Sequence, residues 1–171
     1  GSAVPSTCVT NAELSKRVET SNDWIVTRTG IRERRVMTQG ENLLDLMHEA
    51  STQALKASGL QAKDLQAIVV ATVSGEYYFP STACLLQARL GVDNIPAFDV
   101  GAACAGFVYG MSVVHSYAKS GDYGRMLLVG ADALSSMVDW QDRGTCVLFG
   151  DGAGAIVLDN QPGDRGLLST V

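Results

Sequence analysis

The sequence predicts an α/β fold, a mostly parallel sheet with helices packed against it. Two observations lead there. Apolar runs of strand length at residues 67–73, 97–100 and 125–131 alternate with segments of helical period, and that alternation builds a parallel sheet covered by helices. The composition, 46% apolar and 18% charged over 171 residues, supplies enough apolar surface for a core and too little charge for a disordered chain. No repeat or low-complexity tract divides the chain, so residues 1–171 read as one structural unit.

Taken in order, residues 42–58 place Leu43, Leu44, Leu46, Met47, Ala50, Ala54 and Leu55 at helical spacing, and Gly59 suits the cap that ends the helix. Residues 67–73 form a continuous, β-branched apolar run, the pattern of a strand buried on both faces. Pro80, Ser81 and Thr82 open a helix that runs to Leu90 and stops at Gly91. A strand at 97–100 leads into a helix at 104–119 that ends at Gly121, and 125–131 is another buried strand. Beyond it the period changes. Residues 145–149, 153–158 and 166–171 are short apolar runs bounded by glycine, expected as strands without intervening helices.

The formal net charge of −5 argues against a general nucleic-acid or anionic-membrane surface. No apolar run approaches the ~18 residues of a membrane span. The start, Gly1 to Pro5, has neither the basic nor the apolar region of a secretory signal, which makes a cytoplasmic location the expectation. Cys8, Cys84, Cys104 and Cys146 are widely spaced and follow no Cys/His ligand pattern, so neither a disulfide framework nor a zinc site is expected.

The segment Phe98-Asp-Val-Gly-Ala-Ala-Cys104-Ala-Gly-Phe107 carries the sharpest chemical signal. A cysteine at a strand-to-helix junction meets unpaired backbone N–H groups, and small neighbours let a substrate approach. The competing account is a small cysteine packed against the sheet. His115 lies eleven residues further along the same expected helix, about 16 Å of rise away, so it cannot pair with Cys104. His48 sits on a separate amphipathic helix and reads as an ordinary helical histidine. A catalytic Cys104 therefore needs partners from outside these residues.

Gly150-Asp-Gly-Ala-Gly154 is followed by a strand-like run rather than a helix, which excludes a dinucleotide fingerprint; tight turns and close packing explain these glycines. Gly101 to Gly106 lacks the Lys and Ser/Thr of a phosphate loop. Between Thr20 and Arg35, Trp24 stands beside Arg28, Arg32, Arg34 and Arg35, a set suited to phosphates and a stacked base. The competing account is a solvated arginine-rich loop anchored by Trp24.

Together these residues resemble the β-ketoacyl-[acyl-carrier-protein] synthases III, condensing enzymes of the thiolase superfamily, along essentially the whole chain. The specific pieces are Trp24-Ile-Val-Thr-Arg-Thr-Gly-Ile-Arg-Glu-Arg34, Ala97-Phe-Asp-Val, Ala102-Ala-Cys-Ala-Gly-Phe107, and Asp142-Arg-Gly-Thr145 leading into Phe149-Gly-Asp-Gly-Ala-Gly-Ala155. The resemblance implies the N-terminal half of a thiolase-like fold. It implies that Cys104 takes an acyl group from a short acyl-CoA such as acetyl-CoA and condenses it with malonyl-ACP, with loss of CO2, at the start of type II fatty-acid synthesis. Trp24 and Arg143 match the pair that sandwiches the adenine of coenzyme A, Thr20 an adenine hydrogen-bonding position and Arg28 a phosphate contact. Phe79, Leu134 and Phe149 match acyl-pocket residues, Phe79 reaching across a homodimer interface, and the Cys104 N–H matches half of an oxyanion hole. No cofactor or metal is implied, because coenzyme A enters as a substrate thioester.

Two departures from the family pattern bear on activity. The family's first strand begins before the position of Gly1 and is expected to be missing here. Its second half, which supplies the catalytic His and Asn, a glycine N–H and much of the basic carrier-protein surface, lies beyond Val171. The 171 residues alone are therefore expected to be inactive. The alternatives are a non-catalytic fragment that keeps coenzyme A or dimer contacts, and superfamily relatives that use the same cysteine: HMG-CoA synthase, chalcone-type or alkylquinolone-type condensing enzymes. The Trp24 and Arg143 pair favours the synthase III resemblance.

Overall fold

The computed structural model describes residues 1–163, 166 and 167. Its elements are β1 (Ser2–Ala3), β2 (Cys8–Thr10), α1 (Asn11–Leu14), α2 (Asn22–Thr29), β3 (Glu33–Arg35), α3 (Leu43–Ser58), β4 (Ala67–Ala71), α4 (Thr82–Leu90), β5 (Ala97–Val100), α5 (Gly106–Ser120), β6 (Arg125–Ala133) and β7 (Asp151–Asp159). Five strands form one sheet in the order β1-β7-β6-β4-β5, and β2 pairs with β3 in a separate antiparallel ribbon. The sheet is mixed, which corrects the mostly parallel expectation. β4 is parallel to both β5 and β6, whereas β7 is antiparallel to β6 and to β1. The reason lies in the connection. Only a 3-10 turn at Leu134–Ser136 and no α-helix intervenes between β6 and β7, so the chain returns beside β6 in the opposite sense.

Side-chain alternation explains why β4 and β6 read as unbroken apolar runs. Ile68, Val70, Leu127 and Val129 pack on the face covered by α3 and α4, with Met47, Ala50 and Leu86. Ala67, Val69, Met126 and Leu128 pack on the opposite face with Val114 of α5. Both faces are dry, so the two-residue period is hidden. Helix boundaries follow the expected chemistry. Ser21, Asn42 and Ser81 cap α2, α3 and α4 by accepting main-chain N–H bonds, and Gly30, Gly59 and Gly91 end them in the left-handed conformation.

Several expectations need correction. Residues 145–149 form turns, not a strand: Asp142 accepts from Gly144 N at 2.8 Å and Thr145 Oγ1 at 2.7 Å and folds the segment on itself. Its apolar residues Cys146 and Val147 instead fill a third core with Leu14 and Ile25. Gly152, expected in a tight turn or close packing, lies inside β7, which contains Gly154 as the strand expected at 153–158 does and begins two residues earlier. The arginine-rich segment is not a loop, because Arg28 lies on α2 and Arg34 and Arg35 on β3. At the chain start no strand was expected, yet Ser2 and Ala3 pair with Gly154 and Ala153. The helix expected from residue 104 begins with a 3-10 turn at Ala103–Ala105 and becomes α-helical at Gly106. The strand expected at 166–171 falls mostly on residues outside the described ones.

Candidate active site

Cys104 sits in the turn between β5 and α5 and is exposed. α5 is the one long helix among the described residues whose first turn has no side-chain cap; Ala105 occupies the cap position. Its leading N–H groups are thus not taken up by a cap side chain, and the helix dipole adds partial positive charge there. Ala103 has φ +44°, a strained conformation for a residue with a β-carbon, immediately before the cysteine. The helix is drawn tightly onto the sheet: a Cβ on Gly106 would lie 3.3 Å from the Ala71 Cβ. A cavity of about 550 Å³ opens beside Cys104, lined by Phe107, Gly130, Asp132, Gly152 and Gly154 among others. The small residues leave the thiol accessible from this side. Asp132 holds the neighbouring 72–74 segment, accepting from Val73 N at 2.9 Å, Ser74 Oγ at 3.0 Å and Thr72 Oγ1 at 3.2 Å.

The other cysteines have different surroundings. Cys146 is buried, and burial pushes its thiol pKa up. Burial, followed by a hydrogen bond to Glu33, does the same to Cys8. The Cys84 Sγ donates to Ala97 O at 3.5 Å. His115 lies in the second half of α5, and His48 on α3 across the sheet.

The structure brings together residues expected to contact a nucleotide. The Arg28 guanidinium lies 4.3 Å and the Arg143 guanidinium 4.8 Å from the centre of the Trp24 ring. Arg143 also donates from Nη1 to Glu19 O at 3.2 Å. Thr20 Oγ1, beside Glu19 in the chain, is buried and has no partner among the described residues. Ser21 accepts from Trp24 N at 3.1 Å and fixes the start of α2. Asp142 keeps a depressed pKa through its bonds from Thr145 and Gly144, and so stays ionised while it shapes the turn that presents Arg143.

Of the three expected acyl-pocket residues, two meet. Leu134 and Phe149 line one cavity of about 270 Å³ with Met137, Val138, Asp139 and Thr145. Phe79 does not join them. It is 90% exposed on the segment before α4, next to the exposed Tyr77 and Tyr78. Tyr77 and Tyr78 line a further cavity of about 470 Å³ that also includes Met137, so the two hollows share a wall. Sequence reasoning missed Asp132 and the burial of Arg34. Arg34 lies opposite Val9 in the β2–β3 ribbon, where only the middle residue of Glu33–Arg35 points inward, a run too short to give a readable alternation in the sequence. Among the described residues no group of three His, Cys, Asp or Glu is placed to hold a metal ion, and no helix is long and apolar enough to cross a membrane.

Comparison with known proteins sharpens this geometry. Residues 98–171 match the family described as 3-oxoacyl-[acyl-carrier-protein (ACP)] synthase III. The chain is 49% identical over 170 residues to a β-ketoacyl-[acyl-carrier-protein] synthase III of Laribacter hongkongensis, which covers 99% of this chain and 53% of that protein. The crystal structure of 3-oxoacyl-[acyl-carrier-protein] synthase III from Aquifex aeolicus VF5 superposes with a TM-score of 0.92 and 45% identity, over 94% of this chain and 52% of that one. The priming β-ketosynthase of the R1128 polyketide biosynthetic pathway superposes with a TM-score of 0.90 and 34% identity, over 95% and 49% of the two chains. A mixed sheet between helices, with a cysteine raised on a strand-to-helix turn, thus defines a thiolase-like α/β fold. The chain belongs to the β-ketoacyl-[acyl-carrier-protein] synthase III family and spans about half the length of the curated relatives it matches.

Proposed function

We propose that this chain supplies the nucleophile and the coenzyme A site of a decarboxylative condensing enzyme. The observation that carries the reading is the exposed Cys104 on the uncapped, small-residue start of α5. The Cys104 sulfur attacks the thioester carbonyl of a short acyl-CoA such as acetyl-CoA. The oxyanion is met by N–H groups that include that of Cys104, and the carbonyl re-forms as the coenzyme A thiolate leaves and takes up a proton. Malonyl-ACP then loses CO2, its carbanion attacks the Cys104 thioester, and the β-ketoacyl-ACP departs as the Cys104 thiolate is restored.

Trp24 and Arg143 hold the adenine between them, Thr20 Oγ1 bonds it and Arg28 meets a phosphate. Leu134 and Phe149 wall the acyl group, and Phe79 does so from a partner subunit in a homodimer. The His and Asn that activate malonyl-ACP come from outside these residues, so the 171 residues alone do not condense. The setting is cytoplasmic fatty-acid synthesis.

The test is incubation of the full-length protein with radiolabelled acetyl-CoA, followed by denaturation and peptide mapping. Label is expected on the peptide containing Cys104 and none on the Cys104→Ala variant. Label retained by that variant would remove Cys104 from the mechanism. β-Ketoacyl-ACP made by the purified 171 residues alone would overturn the inactive-half reading, and acylation by long acyl chains only would favour a specialised relative.

A further inference from the structure

Arg34 is buried, 6% exposed, and no carboxylate lies within ion-pair distance of it among the described residues. Burial without a counter-ion is costly for a cation, and hydrogen bonds from its two Nη groups offset part of that cost here, while the buried Nε has no partner among the described residues. Arg34 Nη2 donates to Asn11 Oδ1 at 2.9 Å and to Val147 O at 3.1 Å, and Nη1 donates to Val9 O at 3.1 Å. Asn11, 1% exposed, passes the connection on. Its Nδ2 donates to Ile31 O at 2.8 Å and to Asn22 Oδ1 at 3.1 Å. Asn22 is the first residue of α2, which carries Trp24 and Arg28. Val147 lies in the turn segment between Arg143 and Phe149.

We infer that Arg34 and Asn11 are positioning residues that set the spacing between α2 and the 142–149 segment, and thereby the width of the slot between Trp24 and Arg143. This rests on the reading that those two side chains hold the nucleotide of coenzyme A. The planar fork of a guanidinium reaches acceptors on β2, α1 and the turn segment at once. A lysine ammonium at this position cannot serve both Val9 O and Val147 O in the same geometry. Neither Arg34 nor Asn11 touches the ligand in this arrangement; they act through the elements they tie.

The experiment compares coenzyme A binding by calorimetry in the full-length protein and in the variants Arg34→Lys, Arg34→Met and Asn11→Asp, alongside the alkylation rate of Cys104 by iodoacetamide. Each variant is expected to raise the dissociation constant by about tenfold to a hundredfold, the scale of an ångström-sized misplacement. The Cys104 alkylation rate should stay within twofold, an outcome that general loosening of the fold would not give. Unchanged affinity in variants that melt cooperatively would overturn the proposal. If all three fail to fold, hydrogen exchange of the wild type decides: saturation with coenzyme A slows the amides of Cys8–Thr10 and Glu33–Arg35 if the clamp transmits the closure of the slot, and unchanged exchange overturns it. A Trp24→Leu variant separates the two readings. Unweakened binding there removes the nucleotide site and the clamp with it, whereas weakened Trp24→Leu beside unweakened Arg34→Met removes the clamp alone.

Discussion

The Arg143 guanidinium lies 4.8 Å from the centre of the Trp24 ring, with the Arg28 guanidinium 4.3 Å from the same ring. A base stacked between Trp24 and Arg143 needs its own contact separation on each side, roughly 3.5–4.0 Å, so the pair must open to about 7 Å to admit one. Opening draws Arg143 away from Glu19 O, its 3.2 Å acceptor. The Trp24→Leu variant keeps apolar packing against the third core while removing the π face. Base stacking contributes about 1–3 kcal/mol, so affinity for coenzyme A is expected to fall by roughly 5- to 150-fold. Arg143→Lys, which has no plane to stack, should also weaken binding. Calorimetric titration of both variants checks this, and unchanged dissociation constants would refute it.

At Cys104 the prediction concerns selectivity among four free thiols. Cys104 is exposed, Cys8 and Cys84 are half-buried and Cys146 is buried. Limited iodoacetamide should mark Cys104 first, and prior acetylation from acetyl-CoA should protect it. Mass mapping that found Cys8 or Cys84 labelled ahead of Cys104 would contradict the accessibility argument.

Elements with a strong period were legible in the sequence. α3 showed its amphipathic stripe and its closing Gly59, and β4 and β6 showed doubly buried runs. The ribbon of β2 and β3 was not, because each strand is three residues long and the inward residues are Val9 and Arg34. Three residues leave too little alternation to detect, and an arginine at the inward position reverses the usual sign. The 145–149 error has a similar origin: Cys146 and Val147 are apolar because they fill the third core, not because they pair in a sheet. The exposed place of Cys104 on a strand-to-helix turn was legible because small residues surround it in sequence as they do in space. Leu134 with Phe149, and Trp24 with Arg143, came from family resemblance, because no local pattern links residues so far apart in the chain.

Gly150 tests how closely the turn segment is held to the β2–β3 ribbon. A Cβ at this position would lie 2.9 Å from Arg35 O and 3.1 Å from the Arg34 Cβ, and the first of these is backbone that cannot rotate away. Gly150→Ala is therefore expected to destabilise the fold by about 1–3 kcal/mol, the usual range for overpacking, read as a lower urea midpoint. A midpoint equal to wild type would show that the contact relaxes without cost.

Tyr78 and Phe79 are almost fully exposed, and Tyr77 is more than half exposed, three consecutive aromatic residues facing solvent. Contiguous exposed apolar surface marks an interaction site, and the proposed homodimer accounts for it. Phe79→Ser is expected to leave the unfolding free energy of the monomeric state within about 0.5 kcal/mol of wild type, as for other surface changes, while weakening self-association. Sedimentation equilibrium of the full-length protein measures the second effect. Dimers of undiminished strength would exclude Phe79 from the interface.

Acid sensitivity is expected to arise in part at Glu41. Its carboxylate accepts from Ser6 N at 2.9 Å and, through the other oxygen, from Thr38 N at 2.8 Å and Thr38 Oγ1 at 3.0 Å. The bond from Ser6 N, then that from Thr38 N, lowers its pKa from 4.5 to about 2. A carboxylate with a depressed folded-state value binds protons more readily when the chain is unfolded, so its contribution to stability is present above pH 4.5 and is lost as the pH falls toward about 2. Glu41 ties the segment before β2 to the one before α3, so protonation frees both at once. In Glu41→Gln this titration is absent. The urea midpoint of the variant should lie below that of wild type at neutral pH and converge on it as the pH falls through this window. Parallel midpoint curves for the two proteins would show that the Glu41 contacts contribute no acid sensitivity.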